Sequence, residues 1–126
     1  LKMRCLTLHL KRKWFDLIKS GEKKEEYRKQ STYWIKRLTT CDENFLDDLW
    51  DSVCVYPNST EIFNRELQNL FRIKHFDSVR FVLGYPNKCD AERIIEFKNP
   101  KIRIGTGRPE WGAVPGVNYF VITWEK

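Results

Sequence analysis

Gly21-Glu22-Lys23-Lys24-Glu25-Glu26-Tyr27-Arg28 is the stretch on which the fold turns. Six of its eight residues are charged, both signs are present, and a glycine opens it. Just upstream, Trp14, Phe15, Leu17 and Ile18 recur at helical spacing, with Arg12, Lys13, Asp16 and Lys19 on the wet face. Ser20-Gly21 ends that helix, the glycine supplying a left-handed C-cap. Around Tyr27 the period changes to alternation, which predicts a strand over residues 24–28. Residues 3–10 also alternate, Leu6, Leu8 and Leu10 against Thr7 and His9, and read as a half-buried strand. Strand, short helix and strand within 28 residues make a compact crossover.

Downstream, Ser31 or Thr32 caps a helix that sends Tyr33, Trp34, Ile35 and Leu38 to the core and leaves Lys36 and Arg37 at the surface. Residues 44–53 and 61–71 are helical by their apolar spacing, the second capped by Thr60. Together they make residues 41–76 a helical insertion between sheet elements, whose acidic front half is expected to face away from a polyanion. Strands follow at residues 79–83, 91–97, 102–104 and 118–124, with Asn99-Pro100 breaking the middle pair. The pattern predicts one α+β domain over residues 1–126, a small mixed β-barrel of five to six strands with flanking helices.

The net charge of +6 is unevenly spread. Residues 2–37 hold twelve Lys or Arg against four Asp or Glu, which leaves the remainder slightly negative. That concentration favours a polyanionic partner. No apolar run approaches the ~20 residues of a spanning helix, so no membrane partner is expected. Leu1-Lys2-Met3-Arg4-Cys5 has no apolar signal core, which predicts a cytoplasmic chain. Cys5, Cys41, Cys54 and Cys89 form no C-x-x-C pair, and neither His9 nor His75 stands at a zinc-type spacing. Reduced thiols, no metal and no cofactor are the expectation.

On a strand, Glu26 and Arg28 share one face while Glu25 and Tyr27 share the other, with Lys23 at the strand's mouth. An arginine fork and a lysine point charge suit a phosphate, and a carboxylate accepts from an exocyclic amine. The same trio suits acid–base work where burial shifts the lysine or the glutamate. The plainer alternative is that Glu26 and Arg28 pair with each other at the barrel rim. Tyr33 and Tyr85 are the stacking candidates beside them, ahead of Trp34, whereas Trp14, Phe15, Trp50, Phe120 and Trp124 are assigned to packing. Lys11 and Lys13 offer a phosphate track on the helix. Arg108 and Glu110, in the loop Gly105-Thr106-Gly107-Arg108-Pro109-Glu110-Trp111-Gly112, could join the site from above; that loop lacks the third glycine of a dinucleotide fingerprint.

Residues 14–28 as a whole resemble the signature of the ASCH domain: a short helix ending in Ser-Gly, then Glu-Lys, then a strand finishing Glu-x-Arg. Gly21, Lys23, Glu26 and Arg28 stand at the matching positions. Tyr33-Trp34-Ile35-Lys36-Arg37-Leu38, Phe81-Val82-Leu83-Gly84-Tyr85 and the 105–112 loop are similar to the small stand-alone members of bacteria and their phages. The resemblance implies a PUA-like barrel and binding of RNA or a modified nucleotide; a monomer is expected. It also implies two rivals. One is a hydrolase using Lys23 and Glu26, either an N4-acetylcytidine amidohydrolase or a ribonuclease. The other is a phage-type protein with a host protein as partner. In the amidohydrolase branch the lysine falls on Lys23 but the nucleophilic threonine falls on Glu26, so this chain lacks that nucleophile.

Overall fold

The computed structural model describes residues 3–41, 43–70, 72–84 and 91–125. In chain order the elements are β1 (Cys5–Leu10), α1 (Arg12–Lys19), β2 (Glu26–Lys29), α2 (Thr32–Leu38), α3 (Glu43–Val53), α4 (Ser59–Leu70), β3 (Ser78–Leu83), β4 (Ile94–Thr106) and β5 (Asn118–Glu125). The alternation of β1 buries Leu6, Leu8 and Leu10, and α1 turns Phe15 and Ile18 inward. With Ile35, Leu38, Val79, Phe81, Phe120 and Ile122 these form one continuous core. Each such side chain contributes roughly 1.5–3 kcal/mol by leaving water. A smaller cluster of Tyr27, Ala113, Tyr119 and Val121 packs on the opposite face of the sheet.

Helix starts and stops follow local chemistry. Ser31 caps α2 by accepting from the Trp34 N–H. After α1, Gly21 takes φ +84° and donates to the Ile18 carbonyl, while Lys23 N–H donates to the Leu17 carbonyl. This tight reversal aims Lys23 back beneath the helix that precedes it.

The sheet has five strands in the order β1-β3-β4-β5-β2, with β1 parallel to β3 and the other neighbours antiparallel. It is open. The PUA-like barrel expected from the sequence is not formed, because β1 and β2 lie at opposite edges and no ladder joins them. Laid flat, those edges would stand about 19 Å apart. Yet the Arg28 guanidinium on β2 donates to the His9 carbonyl on β1 at 3.2 Å. The sheet therefore curls until its edges are one arginine apart. The curl follows a break in β4, where the register with β5 shifts between Lys98 and Lys101, Asn99 adopts φ 51° and Pro100 carries no N–H. Asn99-Pro100, expected to end a strand, instead bends one long strand that pairs with β3 first and β5 afterwards. Closure fails for a local reason: the β1 carbonyls of Thr7 and His9 accept from Arg37 and Arg28 side chains.

The helical insertion hangs from a stitched neck. Thr40 N–H donates to the Arg72 carbonyl, Lys74 N–H donates to Leu38, and Thr39 bridges Ile73. Among the described side chains of α3 and α4, Leu49, Val53 and Asn64 are buried, and α4 begins at Ser59 rather than after Thr60. Among the described residues no helix is long and apolar enough to cross a membrane.

Candidate functional site

A cleft of about 910 Å³ opens between the two sheet edges, floored by α1, β2 and α2. Its size suits an organic ligand. Glu26 and Arg28 lie on β2 opposite Ile122 and Phe120, so they point to the main core face, where an ordinary strand would place aliphatic side chains. Lys23 joins them from the reversal after α1. Its Nζ stands 3.1 Å from Glu26 Oε1 and 4.4 Å from the centre of the Trp14 ring. Its side chain is 1% exposed.

Glu26 holds the group together. Oε1 accepts from Lys23 Nζ and from the Tyr27 N–H, and the Arg28 guanidinium lies 3.5 Å from it. Oε2 is buried and has no hydrogen-bond partner among the described residues. Arg28 also donates to the Tyr27 carbonyl, and its guanidinium carbon lies 5.3 Å from the Trp34 ring centre. Two cations thus share one carboxylate in a place largely removed from water. Burial, the largest effect, lowers the proton affinity of Lys23; Glu26 opposes the shift and Arg28 adds to it. Burial lowers that of Arg28 too, again against Glu26. Lys11, Lys29 and Arg37 line the same cleft, so that among the described lining residues five Lys or Arg face one carboxylate. The surplus favours an anion.

The walls are aromatic. Trp14, Tyr33, Trp34, Trp111 and Tyr119 line the cleft. Tyr33 is 59% exposed, sets its ring edge-on to Trp34 and accepts from Arg37 at its hydroxyl. On the outer face of β2, Tyr27 secures the loop that bears Trp111. Its hydroxyl accepts from the Arg108 N–H and donates to Glu25, which pairs with Arg103. Burial, chiefly, raises the Tyr27 hydroxyl to about 12. Gly107 lets the loop pass against the Tyr27 ring, for a Cβ there would stand 2.5 Å from it. Gly112, at φ +100°, lies against Trp14.

Of the residues chosen from sequence, Lys11, Lys23, Glu26, Arg28 and Tyr33 meet in the cleft. Lys13, Arg108 and Glu110 do not line it. Lys13 lies over the Trp14 ring, 4.7 Å from its centre, while Arg108 and Glu110 pair with each other at the surface, 3.5 Å apart. Tyr85 falls outside the described residues. Sequence reasoning missed Trp14, which it assigned to packing, and Arg37, which it left in solvent. The signal for Arg37 was present: Tyr33, Trp34 and Arg37 share one helix face at i, i+3 and i+4 spacing. Among the described residues, no group of three or more His, Cys, Asp or Glu is placed to hold a metal ion, and Cys5, Cys41 and Cys54 form no disulfide.

Fold and site together define an open, curled mixed sheet with a cation-rich aromatic cleft between its edges. No family model, curated protein or solved structure matches the chain. The ASCH, PUA-like expectation is corrected accordingly: no family match supports it, and the open sheet lacks its barrel.

Proposed function

We propose that the protein binds nucleic acid, either RNA or a nucleotide bearing a modified base, in the cleft between β1 and β2. The observation that carries this reading is the buried Lys23–Glu26–Arg28 group, with its surplus positive charge and its unpartnered Glu26 Oε2. A phosphate answers the surplus cations, and an amine on a base edge answers the free carboxylate oxygen. Trp14, Tyr33 and Trp34 supply ring faces on which bases stack at roughly 1–3 kcal/mol each. The test is fluorescence anisotropy with short single-stranded RNA across a salt series. Affinity is expected to fall about tenfold between ~50 and ~200 mM salt. Lys11→Ala and Arg37→Ala, both away from the core, are each expected to flatten that salt slope by about one. Unchanged slopes in both variants would sink the reading.

A second reading is hydrolysis, and one observation favours it: a buried lysine of lowered proton affinity touches a carboxylate. Such a pair is suited to proton transfer. Incubation with N4-acetylcytidine and with mixed RNA decides this. Turnover that disappears in a folded Glu26→Gln variant establishes an enzyme, and no turnover by the native protein leaves binding alone.

A further inference from the structure

We infer a second base site beside the cleft, in the chamber between α2 and the α3–α4 insertion, so that the recognised unit is a dinucleotide. This rests on the nucleic-acid reading of the cleft and extends it. The chamber holds about 520 Å³, and Ser31 lines both it and the cleft, so the two abut. Its chemistry differs from the cleft's in a telling way. Among the described residues no Lys or Arg lines it, and Asp47 is the one charged residue that does. A phosphate is unwelcome there, whereas an uncharged ring is not.

Two amide groups in its lining need a ligand's acceptors. Asn64 is 4% exposed, and among the described residues neither its Nδ2 nor the buried Nε2 of Gln30 has a hydrogen-bond partner. Buried donors left unmatched are rare, because each forfeits its bonds to water. Side-chain amides are also well matched to base edges, which present paired donors and acceptors. Beside them Trp50 and Phe63 stand edge-on, ring centres 5.4 Å apart, and Trp50 keeps 43% of its surface open to an incoming ring. The insertion, which the sequence placed away from any polyanion, thus supplies one wall of a chamber that adjoins the cationic cleft. The charge pattern fits that geometry: phosphate over Arg28 and Arg37, one base above Glu26, and its neighbour past Ser31 among the amides.

The experiment is isothermal titration of the full chain with the four ribonucleoside 5′-monophosphates and the four matching 5′-phosphorylated homodinucleotides. At least one dinucleotide is expected to bind about tenfold more tightly than its monophosphate. Trp50→Ala and Asn64→Leu are each expected to erase that gain and leave monophosphate affinity unchanged. Trp50 lies at the surface, so its variant guards against loss of folding in the other. Equal affinity for both ligand lengths, or a gain that survives both substitutions, overturns the second site while the cleft stands. Absence of binding by either ligand length overturns the second site, and the cleft reading then stands or falls with the RNA salt series.

Discussion

Arg28 on β2 and His9 on β1 are joined across the open side of the sheet: Nη2 of the arginine donates to the histidine's backbone carbonyl at 3.2 Å. A side chain stands where a closed barrel would place a ladder of backbone bonds. The same guanidinium reaches the Tyr27 carbonyl at 2.9 Å and lies 3.5 Å from Glu26. A lysine keeps the charge but cannot satisfy that fork. Arg28→Lys is therefore expected to lose about 1–3 kcal/mol of stability in urea unfolding. Retention of full stability would show that the edges hold their spacing without the bridge.

The Lys23–Glu26 pair makes a sharper demand. Removing one partner leaves the other charged in a buried place, which costs about 3–5 kcal/mol, whereas apolar replacement of both is often neutral. Lys23→Met and Glu26→Leu are each expected to destabilise strongly. Because Arg28 also leans on Glu26, the double variant should not return to native stability but should cost less than the two single losses combined, a coupling of at least about 1 kcal/mol in the cycle. Strict additivity would mean that the two side chains act independently despite their 3.1 Å contact. RNA binding should fail in the double variant even where folding recovers.

Folding lowers the Lys23 proton affinity and raises that of the Tyr27 hydroxyl, so the two contributions to stability run oppositely with pH. The Lys23 proton affinity is lowered on folding, so below its folded pKa the native state bears a penalty that the unfolded chain does not. That penalty fades as pH rises from the folded value towards 10.5. The Tyr27 hydroxyl is raised from 10.0 to about 12, so its contribution is complete below pH 10 and is lost between there and about 12. Urea midpoints measured from pH 7 to 12 should rise and then fall for the native chain. Lys23→Met is expected to flatten the rising limb and Tyr27→Phe to soften the falling one. A rising limb that is unchanged in Lys23→Met would place the titration elsewhere.

Those same residues mark how far the sequence was legible. The charged run 21–28 was readable as a turn and strand because a glycine after an amphipathic helix, followed by alternation, has few other solutions. That Lys23, Glu26 and Arg28 converge follows from the strand's period of two and the reversal before it. Closure was not legible. Whether an edge carbonyl meets a backbone N–H or a guanidinium depends on where a distant strand bends, and Asn99-Pro100 reads alike as a strand end or a bulge. Trp14 illustrates a second limit. Its spacing with Leu17 and Ile18 marks an apolar face, but only the return of the chain at Gly112 and Lys23 decides that its ring lines a cleft. Residue 85 lies outside the described residues, so the stacking role given to Tyr85 has no structural counterpart.

The last expectation concerns Gly107, which does nothing chemical yet controls the upper wall of the cleft. A Cβ at this position would lie 2.5 Å from the Tyr27 ring and 2.8 Å from the Ala113 Cβ. Neither neighbour can yield cheaply, since Tyr27 is clamped through its hydroxyl by Arg108 N–H and Glu25, and Ala113 is buried. Gly107→Ala is expected to cost about 1–3 kcal/mol, as overpacking in a filled site does. Because Trp111 and Gly112 lie four and five residues further along the same loop and line the cleft, ligand affinity should fall with stability. Thr106→Ala, one residue away and exposed, is the control and should change neither quantity. A Gly107→Ala protein that unfolds normally in urea and binds RNA as the native chain does would show that the loop rides free of Tyr27, and the wall would then have to be assigned to α1 and α2 alone.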